Sequence, residues 1–316
     1  MAPKSVSPGS MALRSRLLLF FKGIAMGAAD VVPGVSGGTI AFITGIYDEL
    51  IDSIKAVGFN ALRDLFVYGP KQFWQTINGT FLLTLGAGIV LSITTLARLV
   101  TYCLDTSPVL VWAFFFGLIM ASVVYIWRQL DRFNWRAGLW FIAGISVALV
   151  ISFAPRAEIE ATPMVVFGAG MVAICAMILP GISGSFILLL LGLYTQIMTA
   201  ISELDIPLLI AFNLGCVCGL MMFSRLLSWL LHHHRQSMLA LLTGFLAGSL
   251  MMVWPWKNEV IREGGSVASA PVWPWQYYAD SDFLIPTVEA LAMMLAGLLL
   301  LFILESLAGK LHRGAT

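Results

Sequence analysis

Charge is what this sequence has least of. Only 11% of its 316 residues are Asp, Glu, Lys or Arg, against 59% hydrophobic, where a soluble domain carries about 25% charged residues. So small a supply cannot cover a wet surface. The net charge of +1 comes without any basic stripe, which excludes a nucleic-acid binder. Cys103, Cys175, Cys216 and Cys218 are the four cysteines, and they have neither zinc-site nor disulfide-framework spacing. Cys216 and Cys218 lie inside an apolar run and read as packing. Neither a metal nor a cofactor is expected. A secretory signal is not expected either, because the apolar stretch 17–21 leads into a charge and a motif instead of a cleavage site.

What the chain does have is apolar length. Charge-free runs cover 78–97, 106–127, 137–153, 206–224 and 236–256, and a further run, 283–304, carries only Glu289. Each is near the ~20 residues a helix needs to cross a bilayer core. One more run, 161–202, is about twice that length. The expected fold class is an all-α polytopic membrane protein.

An internal repeat organises it. Residues 33–47, PGVSGGTIAFITGIY, align with 180–194, PGISGSFILLLLGLY, at an offset of 147. Identities fall at Pro33/Pro180, Gly34/Gly181, Ser36/Ser183, Gly37/Gly184, Ile40/Ile187, Gly45/Gly192 and Tyr47/Tyr194. Gly88, Arg98, Gly117, Ser122 and Trp127 match Gly215, Arg225, Gly244, Ser249 and Trp254 at a second offset, 127. Extra residues at 55–77, amphipathic and carrying Trp74, absorb the difference and read as an interfacial segment.

Cytoplasmic loops carry the excess of Lys and Arg, and this decides whether each motif crosses the membrane or turns back. With each motif in a re-entrant hairpin, six spans and an inner N-terminus, thirteen of the 18 Lys and Arg fall inside. Only Arg156, Lys257 and Arg262 then fall outside, and Arg98 and Arg225 stay within spans. Single crossings at the motifs would split the charges evenly. The expected organisation is therefore a cytoplasmic tail (1–16) and a first repeat, 17–154, with hairpin 17–54, interfacial segment 55–77 and three spans. A second repeat, 155–308, has hairpin 161–202 and three spans, followed by a tail, 309–316. Three spans being odd, the second half starts from the opposite side. Such inverted repeats with broken helices recur in secondary transporters, with the substrate site near mid-membrane.

The hairpin tips are the candidate site. Pro33-Gly34 and Pro180-Gly181 should break the helices. Ser36-Gly37-Gly38-Thr39 and Ser183-Gly184-Ser185 then lead into new ones. Serine and threonine cap helix N-termini, and free N–H groups there suit a phosphate or carboxylate. Charges within the membrane default to functional candidates. Asp30 has Met177 as its repeat mate, Glu49 has Gln196, and Arg98 and Arg225 are matched. The arginines are expected as cationic partners of a bound anion, Asp30 and Glu49 as coupling groups. The motif also contains G-x-S-G, but a serine nucleophile needs a base. His232, His233, His234 and His312 all lie at expected cytoplasmic ends.

These tips, Gly27 to Thr39 and Leu179 to Ser185, resemble the PopT family of bacterial polyprenyl-phosphate transporters over nearly the whole chain. That resemblance implies return of undecaprenyl phosphate to the cytoplasmic leaflet of the bacterial inner membrane for cell-envelope synthesis, without enzymatic chemistry. The partners implied are the polyprenyl phosphate and membrane lipids, with self-association left open. A carrier or channel for a small soluble anion remains the alternative, since it would use the same tips.

Topology is directly testable. In a cysteine-free background, Asn134→Cys is expected to label only from the cytoplasm and Ser266→Cys only from outside. The opposite pattern at either position contradicts the inverted arrangement.

Overall fold

The computed structural model describes residues 13–31, 35–128, 130, 134–154, 157, 159–261, 267–277 and 284–313. Pro33, Gly34, Arg156, Arg262, Ser266 and the N-terminal tail through residue 12 lie outside the described residues. The first half builds helices α1 (Leu13–Val31), α2 (Gly37–Ile43), α3 (Tyr47–Ala56), α4 (Phe59–Tyr68), α5 (Pro70–Thr76), α6 (Gly79–Thr106), α7 (Pro108–Trp127) and α8 (Trp135–Phe153). The second builds α9 (Pro163–Ile178), α10 (Gly184–Leu190), α11 (Tyr194–Glu203), α12 (Ile206–His233), α13 (Arg235–Ser249), α14 (Pro274–Tyr277) and α15 (Leu284–Arg313). Several begin with proline at their first positions, among them α5, α7 and α9, where its missing N–H costs no helical bond.

The helix bounds follow the sequence repeat. α2 and α3 reappear as α10 and α11 shifted by 147 residues, and α6 reappears as α12 shifted by 127, each 28 residues long. Gly45 (φ 72°) and Gly192 (φ 70°) make the matched turns out of α2 and α10. A left-handed residue is needed there, and glycine supplies it without steric cost. Across the second of these turns α10 and α11 are bent by 107°.

Packing repeats as well. α1 lies on α6 as α9 lies on α12, whereas α7 lies on α15 and α8 on α13, so the halves exchange their last helices. Each contact is made at glycine. A Cβ on Gly88 would collide with Phe20 of α1, and one on Gly215 with Phe167 of α9. At the exchanged pairs, a Cβ on Gly117 would strike Met294 and one on Gly244 would strike Phe141. Close backbone approach at small residues is how helices associate where lipid is as apolar as leucine. The first hairpin sits in the core, with Ala41 and Ile51 of α2 and α3 fully buried with Leu227, Leu242 and Leu246.

Three features depart from the sequence reading. Among the described residues, α7, α8 and α12 are long and apolar enough to cross a membrane unbroken, while α5 and α6 qualify as a pair bent by 71°. The run 236–256 is not one helix, because α13 stops at Ser249. There the N–H groups of Met252 and Val253 turn back onto the Ser249 carbonyl, and Lys257 Nζ donates to the Met252 carbonyl. Lys257 also lies 4.5 Å above the Trp112 ring, and desolvation pushes its ammonium down to about 8. Finally, the chain is not wholly α. β1 (Lys257–Ile261) pairs antiparallel with β2 (Val267–Pro271) in the loop before α14, a short β-branched and alanine pattern that the surrounding apolar runs obscured.

The α7–α15 contact has a direct test. Gly117→Leu is expected to destabilise by about 1–3 kcal/mol or more through overpacking, seen as a lower Tm in detergent. Gly86→Leu serves as control, since nothing lies within 4 Å of a Cβ there. Equal Tm values for both variants would contradict the packing described.

Candidate substrate-binding site

The second hairpin breaks for a local reason. Leu179 precedes Pro180, and a residue before proline is driven out of the helical region; it stands at φ −66°, ψ 130°. Gly181 then takes φ 91°. The break leaves the last carbonyls of α9 without helical partners. They are satisfied from the first hairpin: Ser36 Oγ donates to the Met177 carbonyl at 2.7 Å, and the buried Tyr47 hydroxyl donates to the Ile178 carbonyl at 3.2 Å. In return the Gly181 N–H donates to Thr39 Oγ1 at 2.9 Å, with both groups buried. The two tips therefore meet and hold each other's backbone.

At the first tip the donors are already engaged. Ser36 caps α2, accepting from the Gly38 N–H at 3.0 Å. Asp30 Oδ1 accepts from the Gly37 N–H at 2.6 Å, so a carboxylate occupies the N-terminus of this short helix. Glycine is required on both residues. A Cβ on Gly37 would stand 2.6 Å from Asp30 Oδ2, and one on Gly38 would stand 2.5 Å from the Ile178 carbonyl oxygen.

The second tip differs. Ser183 Oγ and Ser185 Oγ share a 2.8 Å hydrogen bond, and the Ser183 side chain does not cap α10. Pro180, Gly181, Ser183 and Gly184 are buried. Met177, in the place equivalent to Asp30, is 40% exposed and brings no charge. Tyr194, the mate of Tyr47, is exposed as well.

The remaining candidates are set apart from the tips. Glu49 is exposed and accepts from Asn78 Nδ2 at 3.0 Å, tying α3 to the start of α6. The sequence reading sets Arg98 and Arg225 near the ends of their spans; α6 and α12 continue past both, to Thr106 and His233. Both arginines are exposed. Arg225 Nη1 donates to the Met221 carbonyl of its own helix at 2.6 Å. No hydrogen bond or ion pair joins either arginine to a tip among the described residues.

Sequence reasoning missed the polar seam between α3 and α12. Ser228 Oγ donates to Asp52 Oδ1 at 2.6 Å and accepts from Lys55 Nζ at 3.1 Å. His232 Nε2 lies 3.6 Å from Asp52 Oδ2, and Arg235 Nη1 meets Asp48 Oδ2 at 2.5 Å. The signal that could have found it is spacing. Asp48, Asp52 and Lys55 recur every three to four residues on α3, one face of a helix.

The tip-to-tip contact is tested by Thr39→Val, which leaves the buried Gly181 N–H without an acceptor. A cost of about 1–3 kcal/mol is expected, read as a lowered unfolding midpoint in detergent, with Thr39→Ser close to the parent. A valine variant as stable as the parent would contradict the contact.

Comparison with known proteins gives the family. Residues 26–267 match the model of the VCA0040-like family, described as undecaprenyl phosphate translocase-like. A Vibrio cholerae protein named polyprenyl-phosphate transporter is 44% identical over 300 residues, covering 93% of this chain and 97% of that protein. A Staphylococcus aureus protein of the same name is 36% identical over 252 residues, covering 74% of this chain and 84% of that protein. No solved structure matches. A multi-pass helical protein with two broken, mutually bonded hairpins, this chain belongs to the VCA0040-like, undecaprenyl phosphate translocase-like family.

Proposed function

We propose that this protein carries undecaprenyl phosphate, or a closely related polyprenyl phosphate, between the leaflets of the bacterial inner membrane, returning it to the cytoplasmic side for envelope synthesis. The observation that carries the reading is the 44% identity, over nearly the full length of both chains, to a protein named polyprenyl-phosphate transporter. Chemistry at the tips supports it. A phosphate headgroup needs a polar passage through an apolar protein, while an isoprenoid tail stays in lipid. The passage lies where Ser36, Gly37, Gly38 and Thr39 meet Gly181, Ser183, Gly184 and Ser185.

The two halves are inverted repeats with both termini cytoplasmic, and the hairpins enter from opposite faces. The exchanged contacts of α7 with α15 and α8 with α13 support this symmetry. They give each half a share in the other's wall, which suits rocking about a fixed site. Arg98 and Arg225, at equivalent helix positions, serve the headgroup in turn, one towards each face. Arginine suits this because its fork bonds two phosphate oxygens and keeps its charge. Asp30 closes the first tip through Gly37. Its carboxylate must release that N–H, by protonation or by moving, before an anion can take it. Glu49 couples through the α3–α6 tie. No catalytic step is assigned to any residue.

Proteoliposomes loaded with a fluorescent polyprenyl phosphate test this reading. Arg98→Ala and Arg225→Ala are each expected to weaken binding about tenfold or more, the effect of losing a charge-assisted bond of about 1.5–3 kcal/mol, with Lys a poor substitute. Asp30→Asn is expected to lose pH-dependent transport. Parent-like transport by all three variants would overturn the residue assignments, and transport of inorganic phosphate in place of the lipid would favour a soluble-anion carrier.

A further inference from the structure

Outside the tips, one polar pocket stands out. It has a volume of about 490 Å³ and is lined by Asp52, Lys55, Asn60, Thr76, Arg225 and His232, with Gly58 and Ala56 completing its wall. That volume falls within the roughly 300–1,000 Å³ of small-molecule sites. It sits where α3 ends, α4 begins and α5 ends, against the C-terminal part of α12.

The charges of this pocket are unbalanced towards the positive. Asp52 is engaged by Ser228 at 2.6 Å and by His232 at 3.6 Å. Lys55 has one neutral partner, Ser228 Oγ at 3.1 Å. Arg225 spends Nη1 on a carbonyl of its own helix. Its Nη2 reaches Gly58, where a Cβ would stand 2.6 Å away; the glycine makes room for the guanidinium. Among the described residues neither Lys55 nor Arg225 has a carboxylate within ion-pair distance. Among the lining residues two cations therefore face one carboxylate, which is already held by a hydroxyl and an imidazole, and a second carboxylate, Asp64, stands behind Thr76 at 2.8 Å.

The sequence repeat shows that this pocket has no counterpart. At the offset of 147, Asp52 and Lys55 become Thr199 and Ser202, and at the offset of 127, His232 becomes Asp105. The 55–77 insertion, which supplies Gly58, Asn60 and Thr76, has no equivalent in the second half. Only the arginine is kept, as Arg98. The packing differs in the same sense: α3 packs on α12 through the seam of Asp52, Lys55 and Ser228. The second half thus does not rebuild this set of charges at its equivalent positions.

We infer that the Lys55–Arg225 pocket binds a phosphate monoester headgroup at the end of the protein where α3 meets α12, separately from the hairpin tips. This rests on the transport reading above and deepens it by assigning a docking site to one face, the cytoplasmic one in the proposed topology. Lys55 and Arg225 supply the charge and Asn60 a neutral hydrogen bond, whereas the Thr76 hydroxyl is already spent on Asp64 Oδ2 at 2.8 Å; an attached tail stays outside the pocket. A headgroup arriving here meets a lysine beside the arginine, where the repeat mate of Lys55 is Ser202, so the asymmetry favours binding at this end.

The test uses the full-length protein in nanodiscs, with the four native cysteines replaced and Asn60→Cys as reporter. A small maleimide labels that cysteine while total lipid binding is measured in parallel. Polyprenyl phosphate is expected to slow labelling at least tenfold, and neutral polyprenol to leave it unchanged. Lys55→Gln should abolish the protection while lipid binding at the tips persists, and Lys55→Arg should restore it. Unchanged labelling in protein that does bind polyprenyl phosphate overturns the inference and leaves the transport reading standing. Failure to bind the lipid at all overturns the transport reading instead. Protection by inorganic phosphate without protection by the lipid assigns the pocket to a free anion and overturns the headgroup assignment. Equal protection by phosphatidylglycerol vesicles reduces it to a general anionic-lipid contact and also overturns the monoester assignment.

Discussion

A helix broken inside an apolar slab leaves backbone groups that nothing in the lipid can satisfy, and each costs several kcal/mol if orphaned. The rest of this structure depends on how that is solved at Pro180. The carbonyls of Met177 and Ile178 take their protons from Ser36 and Tyr47, and the N–H of Gly181 gives its own to Thr39. Neither hairpin tip is complete without the other. The tips must stay together or exchange these bonds for something equally polar, a donor for the two carbonyls and an acceptor for the Gly181 N–H.

The outer helices serve that constraint. Glycines at Gly23/Gly88 and Gly170 bring α1 onto α6 and α9 onto α12 at backbone distance, so each hairpin is carried on the long helix that bears its arginine. Chemical identity then departs from the repeat at a few places. Asp30 faces Gly37 where the second half has Met177. The α3 face carries Asp48, Asp52 and Lys55 where α11 carries Thr195, Thr199 and Ser202. Similar backbones thus carry different charges in the two halves.

Much of this was legible in the residues. The Pro180-Gly181 pair fixes the second hairpin's break because its backbone chemistry is local, and the matched turns at Gly45 and Gly192 follow from the same glycine logic. Long charge-free runs gave the helices, and the doubled motif gave the family. Termini of helices were less legible. The charge-free runs stop just before Arg98 and Arg225, yet both helices run on for two turns or more beyond them, since an arginine at a helix surface can reach outward. The stop at Ser249 and the small sheet after it depend on Lys257, Trp112 and Met252 meeting in space, which no periodicity encodes. The tip contacts escaped for the same reason. Ser36 and Thr39 read as free anion ligands in sequence, whereas the fold gives both of them backbone partners from the other hairpin.

The proposed transport requires that the protein recognise a phosphate carried on a polyprenyl tail. Equilibrium binding of radiolabelled polyprenyl phosphate to the purified protein, with competition by inorganic phosphate and by neutral polyprenol, measures that recognition. Saturable binding is expected, with weak competition by phosphate and almost none by polyprenol, because headgroup charge and tail act together. Displacement by polyprenol as effective as by the unlabelled lipid would contradict it.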